Sequence, residues 1–483
     1  MKKTIHSALN PVLGDLVNSF RPGIYLSVLY LFLPNILFLV LGSFIFIDRA
    51  FINIDYLLFP LLFAFFHRII VQFCFALTIL ADATFAIAPG FHFTHNTIAD
   101  ALKNISNLDA FYTVLYALGL IVVVTVVSYA VVRLTFIKYS RFEVLTGFVP
   151  LCFIVLVSLL DYNLSPNFNK DIYLLDHNIA NSTGKNVFRM LRHGAEVDAE
   201  DGQSIKETHS TATDIISKKI SLAEKLPDNI ILVVVESLGS FEEEAHNSFL
   251  ESAFRLKNER KDYYIEVGKV PFAGSTASGE MRELCQLIYK TVKPNIGNFD
   301  ASSCIPNKLK NIGYKTIAIH GFTGLMYSRT QWYPALGFDD LIFASEFYAE
   351  NKNLKKCGTT FRGVCDDDAV KKISQTLDVQ KSSKNFIYFL SLTAHLPVGE
   401  TRKTDFSQSC KKHFEMQSNA TICKHLNHHY ILLDQLNSII DSQAGKNTAF
   451  IIVGDHLPPF LTLDIREMFS VDHVPYYIIW PKT

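Results

Sequence analysis

The first third of the chain has few charged residues. Only 19% of the 483 residues are charged, against about 25% in average soluble chains. Residues 1–165 hold 9 Lys/Arg and 8 Asp/Glu, whereas residues 166–483 hold 36 and 38. This shortage argues against disorder and against a purely cytosolic enzyme. Neither sign is in excess, the net charge being −1, which excludes a nucleic-acid partner. No two cysteines have CxxC spacing, so a cysteine zinc site is not expected. Internal repeats and low-complexity runs are missing too. What remains is apolar: 49% hydrophobic and 13% aromatic residues, with a mean hydropathy of +0.20. A membrane part followed by an ordinary globular part accounts for these numbers.

The apolar residues form runs long enough to cross a bilayer, which needs about 20 residues per helix. The run 51–88 holds His67-Arg68 near its middle, and a charged pair at the bilayer centre is expensive. Dividing it there gives five expected spans, at about 24–47, 51–66, 69–88, 110–132 and 143–161. With the N-terminus inside, Lys2, Lys3, Arg21, Arg68, Arg133, Lys138 and Arg141 are cytoplasmic, and only Arg49 and Lys103 lie outside. The first span is followed by others, which argues against a cleaved signal peptide. Everything after residue 161 then lies outside, which in a bacterial inner membrane means the periplasm. Six cysteines, Cys285, Cys304, Cys357, Cys365, Cys410 and Cys423, fall there, an even number that suits disulfides in an oxidising compartment. Residues 162–228 read as a juxtamembrane connector of helix and loop.

From residue 229 the pattern alternates. The β-branched and aromatic runs 230–235, 314–321, 385–392, 449–456 and 476–480 read as strands, the first as one buried on both faces. Amphipathic stretches at 305–312, 367–377 and 427–443 separate them. The expectation for 229–483 is a doubly wound, mostly parallel α/β sheet, whose ligand site lies at the carboxyl ends of its strands. Those ends carry Glu236, His320, His395, Asp455 and His456.

Glu236, Asp455 and His456 form a ligand set for one divalent metal ion, zinc in preference to manganese. Three protein ligands leave a position for a nucleophile or a substrate oxygen. The loop Gly274-Ser275-Thr276-Ala277-Ser278-Gly279, ahead of an apparent helix, offers hydroxyls together with backbone N–H groups suited to a phosphate. A Thr or Ser there can attack phosphorus and form a covalent phospho-enzyme. His320, Arg329 and His395 are the candidates for neutralising phosphoryl oxygens.

IILVVVESLGSF, GSTASGE, HGFTGLMYSR, SLTAHLP and IIVGDH, in that order after five spans, resemble the alkaline phosphatase/sulfatase superfamily. More narrowly, they are similar to its membrane-anchored lipoteichoic acid synthase, phosphoglycerol transferase and phosphoethanolamine transferase branches. The similarity is weak in the spans and good over 229–483. It implies metal ligands at Glu236, Thr276, Asp455 and His456, a nucleophile at Thr276, and phosphate-binding residues at His320, Arg329 and His395. Tyr327 stands where the phosphoglycerol branch carries Trp, a departure. The formylglycine motif of sulfatases, Cys or Ser before x-Pro-x-Arg, is missing from 272–284, which argues against sulfate ester hydrolysis. The implied reaction takes a head group, phosphoethanolamine in preference to phosphoglycerol, from a phospholipid donor to a periplasmic glycan or lipid-linked sugar. A phosphodiesterase or phosphatase with the same site is a further alternative. Cysteine pairs form disulfides in the phosphoethanolamine branch. Here the short intervals favour Cys357–Cys365 and Cys410–Cys423, leaving Cys285–Cys304. The acid run Asp366-Asp367-Asp368 is a candidate partner for the ammonium group of that donor.

Overall fold

The structure, a computed structural model, describes residues 33–47, 49–59, 62, 65–92, 98, 105–136, 180–196, 205–207, 210–289, 301–379, 383–414 and 420–482. The chain divides into two compact units, residues 1–90 with 114–193, and residues 91–113 with 194–483. The second unit thus takes in 91–113, a segment between two expected spans.

In the first unit, helix α1 (Arg68–Ile87) starts at the charged pair that divides the long apolar run, with the His67 side chain accepting from Ile69 N–H as its cap. Its 20 residues rise about 30 Å, the thickness of a bilayer core. Helix α2 (Ala110–Phe136) is the other long one. These two are the described helices long and apolar enough to cross a membrane, and Ile69, Phe73, Leu118 and Val122 on them are exposed. The expected span 51–66 instead opens as a short strand, Ile52–Asn53, and a 3-10 turn, Ile54–Leu58. Span 143–161 and the first part of 24–47, residues 24–32, lie outside the described residues; within the latter span, Leu33–Leu41 is helical. The carboxylate of Asp82 on α1 is held by Arg49 at 3.0 and 2.9 Å and by the Tyr56 hydroxyl at 2.8 Å. An acid within an apolar helix requires such partners.

The second unit is built on a seven-stranded sheet. Its strands are β1 (Asn229–Val235), β2 (Tyr263–Pro271), β3 (Tyr314–His320), β4 (Asp340–Ile342), β5 (Lys384–Leu390), β6 (Thr448–Gly454) and β7 (His473–Pro481). Their order is β2-β7-β6-β1-β5-β3-β4. The five from β6 to β4 are parallel, while β7 and β2 add an antiparallel edge. The expected parallel core is present. β2 and β4 carry no strong sequence signal, because only Tyr263 and Val270 of β2 are buried and β4 is three residues long. Ile230–Val235, Phe386–Leu390 and Ala449–Val453 are completely or nearly completely buried, as strands covered on both faces must be. Helices α3 (Thr276–Cys285), α4 (Asp366–Val379) and α5 (Ala420–Ser442) position the site.

Register brings the strand ends together. Gly454 pairs with Val235, Val234 with Leu390, and Leu390 with His320. The chain therefore leaves three adjacent strands at one rim and delivers Asp455-His456, Glu236 and the 391–395 loop there, beside His320 at the end of β3.

Three disulfides join Cys285–Cys304, Cys357–Cys365 and Cys410–Cys423, the pairing expected from the sequence. A peptide map without reduction should recover these three linked pairs. Replacing Cys410 and Cys423 with serine should destabilise the fold by ~3 kcal/mol on the chain-entropy account, read as a lowered melting temperature. A map showing six free thiols would refute both statements.

Candidate active site

Glu236 is the first residue beyond β1, and its neighbour Ser237 takes a left-handed backbone, φ 57°. A residue with a side chain holds that conformation only where its surroundings fix it. Here Ser237 N–H donates to Asp455 Oδ1 at 2.7 Å, and His456 N–H donates to the same oxygen at 2.7 Å. The strand end thus joins two acids from neighbouring strands through backbone amides. Asp455 comes close to α3 because residue 279 is glycine. A Cβ there would stand 2.8 Å from that of Asp455.

Thr276 opens α3 behind Ser275, whose side chain makes no cap. Its hydroxyl lies 3.2 Å from Glu236 Oε2 and 3.3 Å from His456 Nε2. His456 Nε2 lies 3.3 Å from Asp455 Oδ2 and 3.6 Å from Glu236 Oε1. His456 Nδ1–H donates to Leu457 O at 2.8 Å, so Nε2 is the bare nitrogen facing the acids. The ligand atoms of Glu236, Asp455 and His456 lie within 4.8 Å of one another. All four residues are buried.

The charges are out of balance in a way that suits a cation. Among the described residues, buried Asp455 Oδ2 finds no hydrogen-bond partner. Burial, with Glu236 beside it, pushes the Asp455 carboxyl well above the usual range. Burial also raises Glu236, but His395, His456 and the hydroxyls of Ser237 and Thr276 outweigh it and leave that carboxyl below its ordinary value. Two carboxylates, one imidazole and one hydroxyl around one point match the nitrogen and oxygen ligands of zinc.

His320 and His395 follow the same pattern as His456. His320 Nδ1–H donates to Leu390 O at 3.0 Å and His395 Nδ1–H to Leu396 O at 2.7 Å. Burial, aided by Arg329, takes His320 down to about 3. Burial also lowers His395, against the pull of Glu236. Each ring is neutral and keeps Nε2 bare.

Arg329 is tied to a residue the sequence did not single out. Its Nε and Nη2 donate to Glu280 Oε2 at 3.0 and 2.7 Å, both side chains being buried. The hydroxyls of Tyr333 and Tyr388 (the latter at 3.0 Å) donate to Glu280 Oε1. Among the described residues Nη1 makes no hydrogen bond, so one edge of the guanidinium remains for a phosphoryl oxygen. Tyr327, also left-handed at φ 54°, lays its ring 5.1 Å from the Arg329 guanidinium carbon. A buried acid at α3, in GSTASGE, was the available signal for this pair.

Asp366, in the acid run that the sequence offers to an ammonium group, is turned inward to the backbone. Its two oxygens accept Leu392 N–H and Thr393 N–H, both at 2.9 Å, and so fix the loop leading to His395. His92 was also missed. Its Nε2 lies 3.0 Å from Leu457 O, the carbonyl that orients His456, and the two rings stand 4.8 Å apart.

Two outcomes follow. E280A strands a buried guanidinium and should cost about 3–5 kcal/mol, measured as a lowered unfolding midpoint; a loss near zero would mean that Arg329 finds another partner. Burial pushes Asp366 up to about 6, above the ~3.9 of an unfolded aspartate. The folded state therefore binds this proton more tightly. The stability it brings is complete below about pH 4 and lost as pH rises through 6. Melting temperatures of wild type relative to D366N should decline across that window, and a flat difference would contradict it.

The sulfatase family model matches residues 228–483, more than half of the chain. No curated protein sequence matches. Similar solved structures include an alkaline phosphatase superfamily protein from Vibrio parahaemolyticus, 17% identical, with a TM-score of 0.38 and coverage of 53% of this chain and 61% of that one. The lipoteichoic acid synthase LtaP from Listeria monocytogenes is 15% identical, with a TM-score of 0.36 and coverage of 53% and 66%. The periplasmic domain of EptC from Escherichia coli in complex with Zn is 15% identical, with a TM-score of 0.37 and coverage of 54% and 74%. The chain spans less than two thirds of the first two. By the match over its α/β unit, the chain belongs to the sulfatase family.

Proposed function

We propose that this protein transfers the phosphoethanolamine head group of a phospholipid, through a phosphothreonine at Thr276, to a periplasmic glycan or lipid-linked sugar. The observation that carries the reading is the Thr276 hydroxyl at 3.2–3.3 Å from Glu236 and His456, beside the unpartnered Asp455 Oδ2. Glu236, Thr276, Asp455 and His456 would hold a divalent ion, zinc in preference to manganese. When bound, that ion neutralises the two acids and favours the ionised hydroxyl.

The remaining steps belong to the chain. The proton of Thr276 is directed to Glu236 Oε2 as Oγ attacks phosphorus. The bond from phosphorus to the glycerol oxygen breaks, and diacylglycerol leaves with the proton that Thr276 gave up. An acceptor hydroxyl then attacks the phosphothreonine, its proton going to the departing Thr276 oxygen. Charge on the phosphoryl oxygens is met by the N-terminus of α3, by the open edge of Arg329, and by His320 and His395. Those rings are neutral in the free site and need a proton to donate through Nε2, which the negative charge of a bound phosphoryl group favours. The donor accounts for the apolar helices, since a phospholipid is reached from the bilayer. In this reading the protein lies in the bacterial inner membrane with its disulfide-bonded domain in the periplasm. Cys357–Cys365 and Cys410–Cys423 favour phosphoethanolamine over phosphoglycerol, because that branch carries similar pairs.

Purified full-length protein, supplied separately with labelled phosphatidylethanolamine and phosphatidylglycerol, should release diacylglycerol from the former. It should also gain label on the peptide containing Thr276. T276A should reduce turnover by several orders of magnitude at unchanged melting temperature. Label on Ser275 or Ser278 would move the nucleophile. Release from phosphatidylglycerol alone would reassign the donor, and phosphoethanolamine freed into water would make the protein a phosphodiesterase.

A further inference from the structure

Helix α5 holds His425, His428 and His429 at i, i+3 and i+4, a spacing that places them on one face. All three meet backbone carbonyls. His429 Nε2 lies 3.0 Å from Glu236 O. His425 stands between two loops, its Nδ1 3.0 Å from Ala394 O and its Nε2 3.1 Å from Ser237 O. His428 Nε2 lies 3.1 Å from Gly399 O, farther along the chain. A carbonyl only accepts, so His429 carries its proton on Nε2, and among the described residues its buried Nδ1 has no partner. The rings of His425 and His429 pack edge to face with centroids 4.5 Å apart, and neither is exposed at all. A neutral His425 has one N–H and donates to one of its two carbonyls, so one turn of α5 faces both the segment that carries Glu236 and the residue before His395.

These contacts fall where the backbone most needs them. Ser237 is left-handed, its amide donates to Asp455 Oδ1, and its carbonyl lies 3.1 Å from His425 Nε2. Glu236 is held likewise, its N–H donating to Ser391 Oγ at 2.9 Å and its carbonyl accepting from His429. Burial keeps both imidazoles below their usual range, His429 at about 4, so His429 donates without bringing another charge beside the acids. A leucine in its place would fill the volume and leave Glu236 O unsatisfied in a dry site.

We propose that His425 and His429 are positioning residues of the metal centre, fixing the Glu236-Ser237 backbone so that the Glu236 carboxylate stands preformed beside Thr276 and His456. The inference rests on the metal reading of the site. Groups that orient a ligand typically change metal affinity by 10–100-fold when removed.

The test is zinc affinity, by competition with a chromophoric chelator, on purified full-length protein stripped of metal, with melting temperature recorded alongside. H429L should bind zinc at least 10-fold more weakly than wild type. H429Q, which keeps an N–H donor, should recover most of that loss. H428L releases only Gly399 O; it should keep wild-type zinc affinity even if it melts lower, separating positioning from plain stability. If H429L does not fold, H425N carries the same test and should also weaken zinc binding. Wild-type zinc affinity in a folded H429L or H425N would overturn the proposal and leave the metal reading intact. A wild type that binds no zinc would overturn that reading, and this inference with it.

Discussion

Two carboxylates, Glu236 and Asp455, are buried side by side at the ends of neighbouring parallel strands. Taking such groups out of water costs several kcal/mol each unless something compensates. Much of the surrounding structure supplies compensation. Backbone amides of Ser237 and His456 hold Asp455, and hydroxyls of Ser237 and Thr276 hold Glu236. Of their oxygens, Asp455 Oδ2 alone finds no hydrogen-bond partner among the described residues. That residual demand separates this rim from a structural polar cluster, which would be satisfied within itself.

The same rim controls its histidines through the backbone. His320, His395 and His456 each give Nδ1–H to a leucine carbonyl, at 390, 396 and 457. The tautomer is set by chain geometry instead of by an acidic side chain. Bare Nε2 atoms then face the site, as a metal ligand requires and as a phosphate contact can use once protonated. Arg329, the cation proposed to meet the phosphoryl group, is kept buried by the Glu280 carboxylate and two tyrosine hydroxyls. Removing that acid would disturb the fold before it disturbed any chemistry.

Much of this was legible in the chain. Continuous β-branched runs can only be strands covered on both faces, and four of them ending in acids or histidines imply one functional rim. The short cysteine intervals also closed as expected. The edge strand β2 was not legible, because only Tyr263 and Val270 of it are buried, and neither was the three-residue β4. In the first unit, residues 52–58 form a strand and a tight turn where an apolar run had suggested part of a span. Hydropathy counts apolar residues but does not see Asn53, whose side chain caps that turn.

The sequence by itself determined which residue types stand at the strand ends, because hydrophobic run length and strand periodicity are local properties. It also determined that the charge-poor third and the α/β part are physically different materials. Only the tertiary structure decided what those residues do to one another. Glu280 and Arg329 lie 49 positions apart, and His429 reaches Glu236 across 193. Asp366 sits in an acid-rich run that the sequence offers to an ammonium group, yet it is buried against the loop before His395. Pairings at such separations depend on register and on how a helix packs over a sheet. No local pattern encodes them, since the free energy that fixes them is shared by the whole core.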